Sequence, residues 1–262
     1  ADPRPFPEDQ KGEIRFENVW FAYGSPDPTA GEPDWVIKDL SFTVRPGEKV
    51  AIVGHTGAGK TTIINLLMRF YEPQQGRILL DGVPIDEVAI DELRARVGLV
   101  LQDVFLFSRS VEYNVRMGEE GIEDDEVTGA LDAVGATPFV QRLESGRHEE
   151  LGERGASLSV GERQLISFAR ALAFDPPILV LDEATSSVDS EIEAKIDDAT
   201  DVLMKGRTSL VIAHRLSTVQ GADQILVMHQ GKLVEEGSHD ELLTEDGLYR
   251  RLYELQFAPS AA

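Results

Sequence analysis

Gly54-His55-Thr56-Gly57-Ala58-Gly59-Lys60-Thr61 brings glycines, a lysine and a hydroxyl together within one short stretch. The spacing satisfies Gly-x4-Gly-Lys-[Ser/Thr] without a gap. Glycines let the backbone curl until successive N–H groups converge, and such a nest attracts anions. A lysine at the end of the nest adds a mobile charge for phosphate oxygens. The hydroxyl after it is placed to ligate Mg²⁺. The pattern carries weight only between a strand and a helix. Residues 48–53 read as a buried strand and 62–70 as a helix with an apolar face, so that condition is met. Gly54, Thr56, Gly57, Ala58, Gly59, Lys60, Thr61 and Thr62 are accordingly read as a site for nucleotide phosphates.

A second group lies far along the chain. Ile178-Leu179-Val180-Leu181-Asp182-Glu183 is a run of buried-type residues ending on two acids. A carboxylate at the end of a core strand beside a phosphate loop can hold the Mg²⁺ shell, which suits Asp182. Glu183, just past the strand, would face the terminal phosphate and could orient and deprotonate a water. Taken alone, the same string is a strand capped by solvated acids. The phosphate loop is what turns it toward chemistry. His214 also follows a buried-type strand, 208–213, and its position after the two acids sets it apart from His55, in a variable slot of the loop, and from His148, His229 and His239, which read as surface residues.

These residues need a frame to hold them. The chain has 262 residues, enough for an ample core in one large α/β domain or two modest ones. Its 42% hydrophobic and 27% charged content is ordinary for a globular protein. No apolar run approaches the roughly eighteen residues of a membrane span, and no secretory leader is visible. The chain opens Ala-Asp-Pro rather than on Met, as a processed or excised piece would. Having no cysteine, it has neither disulfides nor thiolate metal sites, as befits a reducing cytosol. A formal charge of −22 argues against broad nucleic-acid contact and against a polybasic membrane anchor.

In order, residues 1–12 read as an extended arm, 13–23 and 36–44 as strands, and 24–34 as a surface loop. After the phosphate-loop helix come a loop over 71–76, a strand over 77–82, a short helix over 91–96 and a strand over 97–101 ending at Gln102. From 111 to about 150 strand patterns vanish and short amphipathic helices replace them, continuing into a helix from about 160. Strands and helices then alternate again. A helix is expected over 190–204, then a strand pair over 224–236 and closing helices over 239–244 and 248–256. The pattern is α/β, with a mainly parallel sheet interrupted by an all-helical insert.

The ordered set of Gly54–Thr61, Gln102, Leu158-Ser159-Val160-Gly161-Glu162, Leu181-Asp182-Glu183, Ser187-Val188-Asp189 and His214 resembles the nucleotide-binding domain of the ATP-binding cassette family, exporter branch. The likeness covers residues 13 to 256. It implies a RecA-like P-loop ATPase core with an antiparallel β subdomain (13–102 and 174–262) and a helical subdomain over 103–173, preceded by a linker at 1–12. It further implies ATP and Mg²⁺ as ligands. Tyr23 would stack on adenine, Gln102 would touch Mg²⁺ at the hinge to the helices, and His214 would bond the γ-phosphate. Ser159, Val160, Gly161, Glu162 and Asp189 would contact nucleotide held by a second such domain, identical or related, so that two domains sandwich two nucleotides head to tail. The alternative for Tyr23 is a core or edge-strand tyrosine; for Gln102 it is a surface amide at a strand end, which sequence alone favours; and Asp189 is equally an acid near the start of the following helix. The family usually has Gly where Val160 stands and Gln where Glu162 stands, which bears on affinity across the dimer. Leu151-Gly152-Glu153-Arg154-Gly155 resembles the exporter loop that meets a membrane domain. The implied function is ATP hydrolysis powering export through an attached transmembrane domain, on the cytoplasmic side of the membrane and without nucleic acid. Rival readings are a non-transport cassette ATPase of translation or DNA repair, and a regulatory nucleotide sensor. The cargo lies beyond this sequence.

Overall fold

Alternation along Ile14–Phe21 (β1) buries Ile14, Phe16, Val19 and Phe21 while Arg15, Glu17 and Asn18 look outward. The alternation slips once, where Asn18 takes φ 48° and the pairing register shifts. A computed structural model describes residues 4–7, 11–24, 33–182 and 190–256. In it β1 pairs antiparallel with Ile37–Val44 (β2) on one side and Gln75–Leu80 (β4) on the other. A two-residue strand, Val83–Pro84 (β5), completes this four-stranded sheet.

The second sheet is built on Lys49–Val53 (β3), which runs straight into the glycine-rich loop and then Lys60–Leu67 (α1). Ile90–Arg96 (α2) leads into Val97–Val100 (β6). Helices Val111–Arg116 (α3), Asp124–Ala133 (α4) and Thr137–Val140 (α5) follow, then Val160–Ala173 (α6). The chain returns to the sheet with Ile178–Asp182 (β7), Ser190–Met204 (α7), Thr208–Ile212 (β8), Leu216–Gln220 (α8), Gln224–His229 (β9) and Lys232–Gly237 (β10). Helices His239–Thr244 (α9) and Leu248–Gln256 (α10) close the described part. Strand order is β10-β9-β3-β8-β7-β6, parallel from β9 through β6 with β10 as an antiparallel edge.

Each central strand is apolar on both faces because both faces are covered. Ile178 and Val180 join the core shared with β1, β2 and α1, whereas Leu179 and Leu181 join the core of α3, α4, α6 and α7. Ala51 and Val53 face a third cluster with α9 and α10. Helix α6 is the spine of the helical region, packing against α3, α4 and α7. A surface network fastens that region. Arg116 pairs with Glu112 at 3.0 Å and Asp124 at 2.6 Å, and Arg147 with Asp124 at 2.6 Å.

Several expectations need correction. The segment before β1 is not a free arm: Phe6 is buried in the main core with the Arg96 guanidinium 4.3 Å above its ring, and the Arg4 amide donates to the Glu87 carbonyl at 2.7 Å. His148 is exposed, as expected, with Nδ1 2.9 Å from Glu112. His239 is only partly exposed, and its Nδ1 lies 2.5 Å from the Tyr249 hydroxyl, tying α9 to α10. The late strand pair is part of the parallel sheet, because Ala51 and Val53 of β3 register with Ile225 and Val227 of β9. The phosphate-loop helix begins at Lys60 and ends at Leu67, earlier at both ends than its apolar pattern suggests. Arg69, at φ 52°, breaks it.

Candidate functional site: a phosphate cleft at the strand ends

Parallel strands that share a register deliver their C-terminal ends to one edge of the sheet. Asp182 is paired with Ile212, and Ile52 is also paired with Ile212. The ends of β3, β8 and β7 therefore stand side by side. The glycine loop follows the first, His214 the second, and Asp182 ends the third. Gln102 lies just beyond β6, the neighbour of β7. An open cleft of about 490 Å³ at this edge is lined by Tyr23, Thr56, Gly57, Gly59, Lys60, Thr61, Thr62, Gln102, Asp182 and His214, with Val36 and Ile212. Residues separated by nearly two hundred positions thus meet in one place.

Backbone demands explain the glycines. A Cβ on Gly54 (φ 152°) would sit 2.3 Å from the Met228 carbonyl oxygen, so β9 leaves no room for a side chain. Gly57, at φ 81°, faces open space and is required by its backbone alone. Of the loop residues, Gly54 and Ala58 stand behind the cleft surface. Ala58 is buried, its N–H donates to the His55 carbonyl at 3.1 Å and its carbonyl accepts from Gly231 at 3.1 Å.

The Lys60 side chain is folded back on its own loop. Nζ donates to the Gly54 carbonyl at 2.6 Å and the His55 carbonyl at 3.1 Å. Burial lowers its pKa, and the Asp182 carboxylate works in the opposite direction. Burial likewise raises the Asp182 carboxyl, with Lys60 opposing the shift and Asp103 reinforcing it. Each group thus opposes the shift that desolvation imposes on the other. Thr61 hydroxyl, Gln102 amide and Asp182 carboxylate form a set of hard oxygen donors in the same cleft. One carboxylate with neutral oxygens fits Mg²⁺, which keeps waters and takes its remaining ligands from phosphates.

His214 is pushed below its ordinary 6.5, first by burial and then by the Lys60 charge. At neutral pH it is an uncharged imidazole. The next residue anchors it: Arg215 pairs with Asp197 of α7 at 2.6 Å, and the Ser217 hydroxyl donates to the same carboxylate at 3.0 Å. Below 6.5 the unfolded chain takes up the His214 proton before the folded chain does, so folding stability falls as pH drops through the window between the two values. His214→Gln is expected to lose less melting temperature than the native chain between about pH 7 and pH 5.5. Equal losses in the two proteins would contradict this assignment.

Tyr23 projects from the end of β1, about half exposed, with its hydroxyl 3.1 Å from the Thr62 hydroxyl and accepting from Asn65 at 3.3 Å. Ser159, Val160, Gly161 and Glu162 do not line the cleft. They form the N-terminus of α6 in a capping box. Ser159 Oγ accepts from the Glu162 amide at 3.2 Å, and Glu162 accepts from the Ser159 amide at 2.9 Å and lies 3.6 Å from Arg142. Glu162 is therefore engaged within its own helix start rather than projecting as a bare charge. Val160 is half exposed. Gly161 is tightly backed, since a Cβ there would meet Ile192 at 2.2 Å. Glu183, Ser187, Val188 and Asp189 lie outside the described residues. Arg142, Asn65 and the Arg215–Asp197 pair carry no motif in the sequence and emerge only from the packing.

Comparison with known proteins places this arrangement. The family described as ABC transporter matches residues 37–186. The chain is 50% identical over 252 residues to the probable multidrug resistance ABC transporter ATP-binding/permease protein YheH of Bacillus subtilis, spanning 96% of this chain and 36% of that protein. It is 49% identical over 248 residues to the ATP-dependent lipid A-core flippase of Methylobacillus flagellatus, spanning 94% of this chain and 42% of that one. Among solved structures, a bacterial Atm1-family ABC exporter with ATP bound superposes with a TM-score of 0.88 at 42% identity, over 99% of this chain and 44% of that chain. The chain spans less than half the length of these relatives.

Proposed function

This chain belongs to the ABC transporter family, and from that membership we propose that it is the ATP-binding and hydrolysing domain that powers export of a substrate across a membrane. The observation that carries the reading is the meeting of Lys60, Thr61, Gln102, Asp182 and His214 in one cleft, with Tyr23 at its rim. The loop amides and Lys60 bind the phosphates, and Lys60 exchanges its two carbonyl partners for phosphate oxygens. Thr61, Gln102 and Asp182 hold Mg²⁺, which when bound offsets charge on the transferring phosphoryl group. The neutral His214 hydrogen-bonds the γ-phosphate without adding a second buried cation beside Lys60. Glu183, next after Asp182, accepts the proton of the attacking water.

The partners follow from what the cleft lacks. Ser159, Gly161 and the start of α6 offer a helix N-terminus outside the lining of the chain's own cleft, which supports a head-to-tail dimer of two such domains. A transmembrane domain is the second partner, and the chain acts on the cytoplasmic side of the membrane. In support, Phe105, Phe107 and Tyr113 form an exposed run of edge-to-face rings. Buried Asn114 braces that loop through the Phe107 amide at 2.7 Å and carbonyl at 3.0 Å. The stretch from Leu151 lies against it, with the Leu151 amide donating to the Arg109 carbonyl at 3.0 Å.

The test is hydrolysis against protein concentration. Turnover per chain is expected to rise with concentration as dimers form, and a trapped Mg·ATP complex should sediment as a dimer. Turnover independent of concentration in a strictly monomeric protein would refute the sandwich.

A further inference from the structure

Tyr23 is held from more sides than a rim residue needs. Its ring stands perpendicular to Phe21 at 4.8 Å and to Tyr71 at 5.1 Å, and Tyr71 also packs against Phe21 at 5.6 Å. Tyr71 belongs to neither sheet nor helix. It sits in the turn after α1, itself about half exposed, and its ring still points back to the end of β1.

That turn is built to stay in place. Arg69 adopts φ 52° and its guanidinium donates to the Ile85 carbonyl at 3.2 Å and the Val88 carbonyl at 2.9 Å. Three residues beyond Tyr71, Gln74 acts as an extra strand partner for the residue before Tyr23. Its side chain accepts from the Ala22 amide at 3.0 Å and donates to the Ala22 carbonyl at 2.9 Å, and its own amide donates to the Trp20 carbonyl at 3.0 Å. A surface turn that only connected α1 to β4 would need none of these contacts.

We propose that Tyr71, fixed by the Arg69 and Gln74 anchors, is a positioning residue that presents the Tyr23 ring to the nucleotide base and so sets affinity for the base-bearing part of the ligand. The inference rests on the reading of Tyr23 as the base-stacking residue. A ring already immobilised loses little rotamer freedom on stacking, so its contact energy appears as affinity. Freed of Tyr71, the Tyr23 ring keeps its hydroxyl contacts but gains room to tilt about them.

The test separates base from phosphate. Equilibrium affinities of the chain are measured for Mg·ATP and for inorganic triphosphate with Mg²⁺, which has no base. Tyr71→Ala is expected to weaken ATP binding about 5- to 10-fold while leaving triphosphate binding unchanged. Tyr71→Phe keeps the ring and should match the native chain. Tyr23→Ala is the control and should weaken ATP alone. If Tyr23→Ala loses ATP affinity and Tyr71→Ala does not, the positioning role is overturned while stacking stands. If Tyr23→Ala changes nothing, the stacking reading itself fails. Equal loss of ATP and triphosphate in Tyr71→Ala means a general structural role and overturns the inference. A Tyr71→Phe protein as weak as Tyr71→Ala overturns the ring contact in favour of the hydroxyl.

Discussion

Replacing Glu183 with Gln is expected to lower steady-state ATP turnover by roughly 10²–10⁴, about 3–5 kcal/mol of activation barrier. The amide keeps the shape of the carboxylate and can still hold a water, but it cannot take the proton. Nucleotide affinity should survive, because the proposed phosphate contacts come from the loop amides, Lys60 and His214, and the proposed Mg²⁺ contacts from Thr61, Gln102 and Asp182, which line the cleft. The variant should therefore accumulate as an ATP-loaded dimer, which makes it the form in which to look for trapped assembly. Turnover is measured at saturating Mg·ATP and protein concentrations that favour dimers. A protein that hydrolyses at the native rate would show that the base is another group.

Much of this site was legible because its chemistry is local in sequence. The glycine loop needs φ values open to glycine at Gly57 and Gly59, and at Gly54 it needs the absence of a Cβ against Met228. Those demands write themselves into eight consecutive residues. Asp182 was legible for a related reason, since a run of buried-type residues ending on an acid announces a strand whose last side chain escapes the core. What stayed hidden was pairing between distant segments. Nothing in the order of residues says that Ile212 stands between Ile52 and Asp182, although that register alone brings His214 to the cleft. Phe6 was hidden too, because a phenylalanine between prolines gives no period to read, and its burial depends on Arg96 and the start of α2. Glu162 can be read in two ways: it departs from the glutamine usual in the family, and as a glutamate three residues after a serine it is a helix-start signal, which takes the form of a capping box at the start of α6.

Lys60→Ala is expected to cost the larger share of nucleotide binding, with affinity for Mg·ATP falling by about 10²–10³. The Lys60 ammonium is buried, with both described bonds going to carbonyl oxygens of its own loop. Those bonds hold the side chain within reach of the cleft, so little ordering remains to be done when a phosphate arrives. Desolvation lowers its pKa, which means that the folded chain carries this charge at a cost and does not gain stability from it. Removing the group should therefore leave the melting temperature close to native. Loss of binding without loss of fold is the combination that separates a ligand-binding lysine from a core one. Inorganic triphosphate should lose affinity in parallel with ATP, since Lys60 meets phosphate and not base, in contrast to the Tyr23 and Tyr71 variants. Unchanged ATP affinity in a folded Lys60→Ala protein would mean that the triphosphate does not lie along this loop, and the roles given to Thr61, Asp182 and His214 would fall with it.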